Sequence, residues 1–151
     1  MAEPRPFTAF NFKVHLRLPG AQGSLCDAAF AECDGLEMSV APKTIREGGN
    51  NGQVIHLPGP TSYGQLSLKR GMTANFDLWT WFERSQSERS LRARAEVVML
   101  GSDRREQLRF ELSGCLPIKL KAPGLNARDG QIAIEEMQIA YETLSLAAPA
   151  P

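Results

Sequence analysis

The stretch "REGGNNGQVIHLPG", Arg46 to Gly59, governs how the rest of the chain is read. A glycine-rich segment beside charges can cradle phosphate, turn a hairpin, or form an arm that touches another molecule. The first option fails on chemistry. A Walker loop needs GxxxxGK[ST], with its lysine reaching phosphates and its hydroxyl reaching magnesium; no GK[ST] occurs in this chain. A dinucleotide fingerprint needs GxGxxG between a strand and a helix, and these glycines lie between two strand-like runs. Asn-Gly and Gly-Gly instead supply the positive φ values of tight hairpin turns. "TIRE" leads in, "GGNNG" turns, and "QVIHLPG" returns, which predicts a two-stranded arm at about 43–60. The return limb is too apolar to stand in water. Val54, Ile55 and Leu57 need cover, and a core that cannot reach that far leaves the task to another chain. An exposed apolar edge is a template for such pairing.

Outward from the arm, the dominant period is two. "FNFKVHLRL" places Phe10, Phe12, Val14, Leu16 and Leu18 on one face, and Pro19-Gly20 ends that strand. "CDAAFAEC" reads as a second strand, with Asp34-Gly35 as a turn. "LEMSVAPKTIRE" alternates again, and Pro42, which has no N–H for a ladder, predicts a bulge or an edge. "QLSLKR" is a strand. "RSLRARAEVVML" sets Ala93, Ala95, Val97 and Met99 on one side, and "GSDRREQ" is a charged hairpin tip. "LRFELSGCLPIKL" bends at its Gly and Pro, and "IAIEEMQIAYETL" reads as one final long strand. Only "MTANFDLWTWFERS" changes period, so a single helix is expected there, capped by Thr73 or Asn75. Residues two apart on a helix face different sides. Trp79 is therefore expected in the core with Phe76 and Phe82, and Trp81 nearer the surface as a candidate contact. Short strands at regular spacing with one helix predict a mainly β sandwich or barrel. No internal repeat or linker divides the chain, so one domain over 1–146 and a loose tail at 147–151 are expected.

Composition narrows the function classes. The 151 residues suit one domain. Lys+Arg and Asp+Glu number 17 each. That balance lacks the basic excess of a nucleic-acid binder, and it permits self-association. Three cysteines, Cys26, Cys33 and Cys115, form no CxxC pair and sit at no ligand spacing from a histidine. They read as small buried residues rather than a disulfide frame or metal site. No metal or cofactor is expected. No apolar run approaches the ~18 residues that span a bilayer, and the N-terminus lacks a signal-peptide centre; synthesis in the cytosol is expected. His15 and His56 lie on separate strands without a triad context. Glu135 and Glu136 point to opposite faces of a strand and cannot share acid–base work; one is expected in solvent and one at a contact. No catalytic constellation remains, so an enzyme is not expected.

In order and spacing, several of these runs resemble one family. They are "PFTAFNFKVHL", "FAECDGLEMSV", "REGGNNG", "LPG", "YGQLSLKRG", "DLWTWF" and "IKLKAPGLNARDGQIAIEEMQIAYE". Together they are similar to the tail tube proteins of contractile-tailed phages and the inner tube proteins of phage-like contractile injection particles. The resemblance implies two packed antiparallel sheets with one flanking helix. It implies six copies in a ring whose inner strands join one barrel around a lumen, and rings stacked into a tube. The implied partners are other copies of the chain, sheath protein, baseplate or hub and cap proteins, and a lumen cargo or DNA, with no sequence-specific nucleic-acid binding. The implied location is a phage tail or phage-like particle. The contact residues expected on this reading are Arg46, Glu47, Gly48, Gly49, Asn50, Asn51, Gly52, Val54, Ile55, Leu57 and Trp81. Polar outward residues between Gln131 and Thr143 are expected toward the lumen. Two neighbouring readings are a tube-initiating or capping paralogue at the baseplate end and a hexameric ring protein of a secretion apparatus. A small ligand-binding barrel or enzyme is the reading from another class.

Overall fold

The computed structural model describes residues 11–20, 25, 30–46, 48–49, 52–128 and 130–147. The strands are β1 (Phe12–Arg17), β2 (Glu32–Asp34), β3 (Met38–Arg46), β4 (Val54–Tyr63), β5 (Gln65–Gly71), β6 (Ala93–Leu100), β7 (Glu106–Lys121), β8 (Ile134–Ala140) and β9 (Thr143–Ala147). The helix α1 (Asp77–Ser87) lies between β5 and β6. All pairings are antiparallel.

One strand organises the whole. The 16 residues of β7 serve two sheets. Its first half lies between β6 and β9, with β1 beyond β6. Its second half pairs with β8, which continues to β5 and β2. The corner falls where the sequence bends. Ser113 and Gly114 together stand opposite the one residue between Ala93 and Ala95, and Gly114 has φ +64°, a value glycine adopts without a Cβ clash. A Cβ there would lie 2.5 Å from the Glu142 side chain. The second bend, at Pro117, is a register shift against β8.

The expected final long strand is instead two, β8 and β9, broken at Tyr141-Glu142. The physical reason is the corner in β7: the Glu142 N–H donates to the Ser113 carbonyl at 2.8 Å, so the partner strand must break beside the bulge. The second strand is also shorter than expected; it covers only Glu32–Asp34, and Cys26–Ala29 lie outside the described residues.

Between the two sheets sits one apolar cluster. Val14 and Leu16 come from β1, Ala95 and Val97 from β6, Leu66 and Leu68 from β5, Met137 and Ile139 from β8. Most alternate with polar neighbours along their strands, as half-buried strands do; Val97 is followed by a second buried residue, Val98. Helix α1 adds Leu78 and Trp81 to the cluster and packs on β7. It begins at Asp77 with Phe76 in the cap position and no side-chain cap bond, so neither Thr73 nor Asn75 is the cap. Asn75 still serves the turn, its Oδ1 accepting from the Asp77 N–H at 3.0 Å. Among the described residues β1 pairs only with β6 and β9 only with β7, so the sheets are open and do not close a barrel within one chain.

Candidate assembly surface

The arm exists as a hairpin. Among the described residues β3 and β4 pair with each other and with no other strand. All nine residues of β3 are exposed. The ladder joins Ile45 to Ile55, Lys43 to Leu57 and Arg46 to Val54. It shifts register between Val40 and Pro42, as proline in a ladder requires. Pro42 stands opposite Pro58, and β4 runs on through Pro58-Gly59-Pro60 to Tyr63. A two-stranded ribbon tolerates this because each strand has an outer edge where no N–H is needed.

The base of the hairpin is fixed to the sandwich. The Tyr141 hydroxyl donates to the Gly35 carbonyl at 2.7 Å and accepts from the Glu37 N–H at 3.1 Å. Tyr63 sets its ring 5.7 Å from that of Tyr141, tilted by 53°. Gly64 donates to the Glu37 carbonyl at 3.0 Å. Gly35 has φ +96°, and a Cβ there would fall 1.8 Å from the Gln65 carbonyl oxygen, so only glycine fits. Thus the arm is held rigidly at its root and left bare along its length.

The expected contact residues now have places. Arg46 closes β3; Gly48, Gly49 and Gly52 lie in the turn, Gly49 at φ +95°. Glu47, Asn50 and Asn51 lie outside the described residues. Val54, Ile55 and Leu57 stand on β4 with 39–47% of their surface exposed. Trp81 does not belong with them. It is fully buried at 0% exposure, whereas Trp79 is half-buried and Phe76 is 56% exposed. The expected assignment of the two tryptophans is reversed. The stripe toward the sheets is Leu78 and Trp81, three apart on one helix face, and a side chain with no accessible surface cannot meet a neighbour.

Trp79 is recruited by Glu135, which was expected in solvent or at a contact and is buried instead. Arg70 and Glu135 are cross-strand partners in the β5–β8 ladder, 5% and 1% exposed. The Arg70 Nε–H donates to Glu135 Oε1. The Trp79 Nε1–H donates to Glu135 Oε2 at 2.9 Å. Arg70 Nη2 also donates to the Asn75 carbonyl at 3.3 Å, and its guanidinium lies 5.6 Å from the Phe30 ring centre. A buried carboxylate with both oxygens satisfied ties helix to sheet. The signal was present: Arg70 continues the inward set Leu66, Leu68, and Glu135 precedes the inward set Met137, Ile139. Glu136, on the other face, is half-buried.

Of the three cysteines Cys26 lies outside the described residues, and the other two thiols are shielded. Burial pushes Cys115 up to about 12, and burial with the nearby Asp34 carboxylate pushes Cys33 up to about 11. Neither is a nucleophile near neutral pH. Among the described residues no three His, Cys, Asp or Glu side chains gather into a metal-holding group.

An open β-sandwich with a flanking helix and a bare projecting hairpin defines a tube-type structural subunit. Residues 8–145 match the family of the T4-like virus tail tube protein gp19, and the chain belongs to that family. Solved structures agree in fold. A chain in the six-fold symmetrised baseplate of the anti-feeding prophage is 22% identical, with TM-score 0.84, covering 97% of this chain and 98% of that one. A chain in the extended sheath–tube complex of the extracellular contractile injection system PVC is 18% identical, with TM-score 0.80, covering 95% and 92%. A type six secretion system protein is more distant, at 13% identity and TM-score 0.54, covering 90% and 83%. Among curated proteins none matches.

Proposed function

We propose that this chain is the repeated inner-tube subunit of a contractile injection particle or phage tail, closing as hexameric rings that stack around a lumen. The observation that carries the reading is the β3–β4 hairpin, rooted by Tyr141 and Gly35 yet uncovered along its apolar length. A monomer gains nothing from holding Ile45, Ile55 and Leu57 out in water; a stacked ring covers them. The open edges of β1 and β9 suit lateral pairing between neighbouring copies, which removes the exposed edges of both. Residues 1–146 act as one domain in this reading. The partners are further copies, a sheath around the tube, and baseplate and cap proteins at its ends; the similar folds in baseplate and sheath–tube assemblies support this. The chain acts by assembly, with cargo or DNA passing through the lumen.

Negative-stain electron microscopy across a concentration series, with sedimentation alongside and baseplate components added where needed, tests the proposal. Rings or tubes with a central hole are expected. A protein that stays monomeric even with baseplate present overturns it. Deleting Gly48–Gly52 is expected to spare the folded subunit and the ring but prevent long tubes; normal tubes from that variant would remove the arm from the contact.

A further inference from the structure

The β1–β6 ladder sets two like charges against each other. Arg17 and Arg94 are cross-strand partners, and both are exposed. They alternate with the buried Leu16, Ala93 and Ala95, so they point away from the core. Like charges directly opposite destabilise a sheet. On its other side Arg94 faces Ser113 and Gly114 at the corner of β7, which carry no charge. Among the described residues neither arginine has a carboxylate within ion-pair distance. Glu96, two residues along β6 on the same face, is engaged by Arg109 at 2.7 Å.

The same two side chains border a hollow of about 400 Å³. Arg92 is a third cation on its rim, and Leu18, Pro19 and Ala93 line the space between. The Arg92 guanidinium is set in place by backbone. Its Nη1 donates to the Arg89 carbonyl at 2.8 Å and to the Leu91 carbonyl at 2.9 Å. Among the described residues its ion-pair partner is Glu142, at 4.0 Å and 71% exposed, a pair of little worth. Three guanidinium groups therefore share one solvated carboxylate around a partly apolar hollow. A planar guanidinium fork matches a carboxylate in bidentate fashion, and a fork already held in place loses less freedom on binding.

We propose that this arginine hollow binds an acidic peptide segment of another protein, one that carries a carboxylate beside an apolar side chain. The carboxylate answers the uncompensated Arg17–Arg94 pair, and the apolar neighbour covers Leu18, Pro19 and Ala93. A nucleic-acid strand suits the surface less well, because the basic ground stops at this hollow. The next hollow along the face shares Arg94 but is lined by Glu96 and Glu111, which repel a run of phosphates. The inference goes beyond the tube-subunit reading: it concerns a surface away from the β3–β4 hairpin and requires no ring.

The probe is a fluorescein-labelled hexapeptide of alternating glutamate and leucine, titrated with full-length protein and read by fluorescence anisotropy. Saturable binding is expected, about tenfold tighter than for the matching peptide with glutamine in place of glutamate. Arg94→Glu is expected to weaken the acidic peptide by about tenfold or more. Its thermal melt is expected to equal or exceed that of the wild type, since the new carboxylate stands opposite Arg17. Arg17→Gln removes one cation without creating a new pair and is expected to weaken binding severalfold. No saturable binding, equal affinity for the two peptides, or wild-type affinity in both variants overturns the proposal. So does a lowered melt for Arg94→Glu, which would give Arg94 a partner within its own subunit. A short oligothymidylate that binds more tightly than the peptide would assign the hollow to nucleic acid instead. Self-association without peptide that is lost in Arg94→Glu would assign it to a second copy. Each of these outcomes leaves the tube reading to its own test by microscopy.

Discussion

Two ladders in this molecule are built from the same local pattern and meet opposite fates. The β5–β8 ladder buries Leu66, Leu68, Met137 and Ile139 to 0–1% exposure. The β3–β4 ladder leaves Ile45, Ile55 and Leu57 at 39–47%. Both are antiparallel and both are rich in β-branched or leucine residues. The difference is cover. The first faces a second sheet and the helix, so its side chains leave water at about 25 cal/mol per Å². The second has no element among the described residues to face. Period-two patterning therefore specifies strand and face, while the partner that covers the face is a property of the assembly.

The deepest break in this comparison is expected on the covered side. Trp81→Ala removes the largest fully buried side chain and is expected to cost about 3–5 kcal/mol of subunit stability, read from urea unfolding. Glu135→Ala comes next. It leaves the Arg70 guanidinium buried without its carboxylate and frees the Trp79 Nε1–H, for an expected loss of about 3 kcal/mol. The double replacement Arg70→Met with Glu135→Leu is expected to recover most of that loss, because an apolar pair of similar volume carries no desolvation penalty. If the double variant is no better than the single one, the pair does more than satisfy itself.

This buried pair shows where sequence reading stops. Alternation in "QLSLKR" and "IEEMQIAY" puts Arg70 and Glu135 inward, yet a charged residue at such a position is read as a strand end until its partner is known. The pairing arises from the β5–β8 register, which joins residues 65 apart, and no local pattern encodes it. The tryptophans failed for a related reason. Spacing showed that Trp79 and Trp81 face apart, but the choice of inner face belonged to the sheets beneath, and the β8 carboxylate claimed Trp79. The hairpin was legible because its signals are local: glycines for the turn, Pro42 for the bulge, an apolar return limb. The break between β8 and β9 was not, since it answers to a corner in β7.

A smaller effect is expected from pH. Cys115 is fully buried, and burial pushes its thiol from the ordinary value of 9.0 up to about 12. Between those values the unfolded chain has lost the proton and the folded chain retains it. Folding therefore binds protons, and stability falls as pH rises above about 9, continuing until the folded thiol itself ionises near 12. The slope from one such thiol is at most about 1.4 kcal/mol per pH unit. Urea melts at pH 7, 9 and 10 should show the decline, and Cys115→Ala should make it shallower, with Cys33, raised to about 11, supplying part of what remains. A curve unchanged by that substitution would assign the alkaline loss to other groups.

The smallest effect is the sharpest test of the comparison. Leu68→Ala and Leu57→Ala are the same chemical change in the two ladders. At 1% exposure, Leu68 is expected to cost about 2–5 kcal/mol on truncation. At 42% exposure on a ribbon without cover, Leu57 is expected to shift subunit stability by less than about 0.5 kcal/mol. The assembly readout is expected to reverse that ranking. Leu57→Ala should weaken stacking in sedimentation while its melt stays with the wild type, because on the proposed tube reading the atoms removed meet another copy and not the core. A melt lowered as far as that of Leu68→Ala would mean that the hairpin folds back onto its own subunit in solution. The apolar return limb would then be core, and the stack would have to be held by other surfaces.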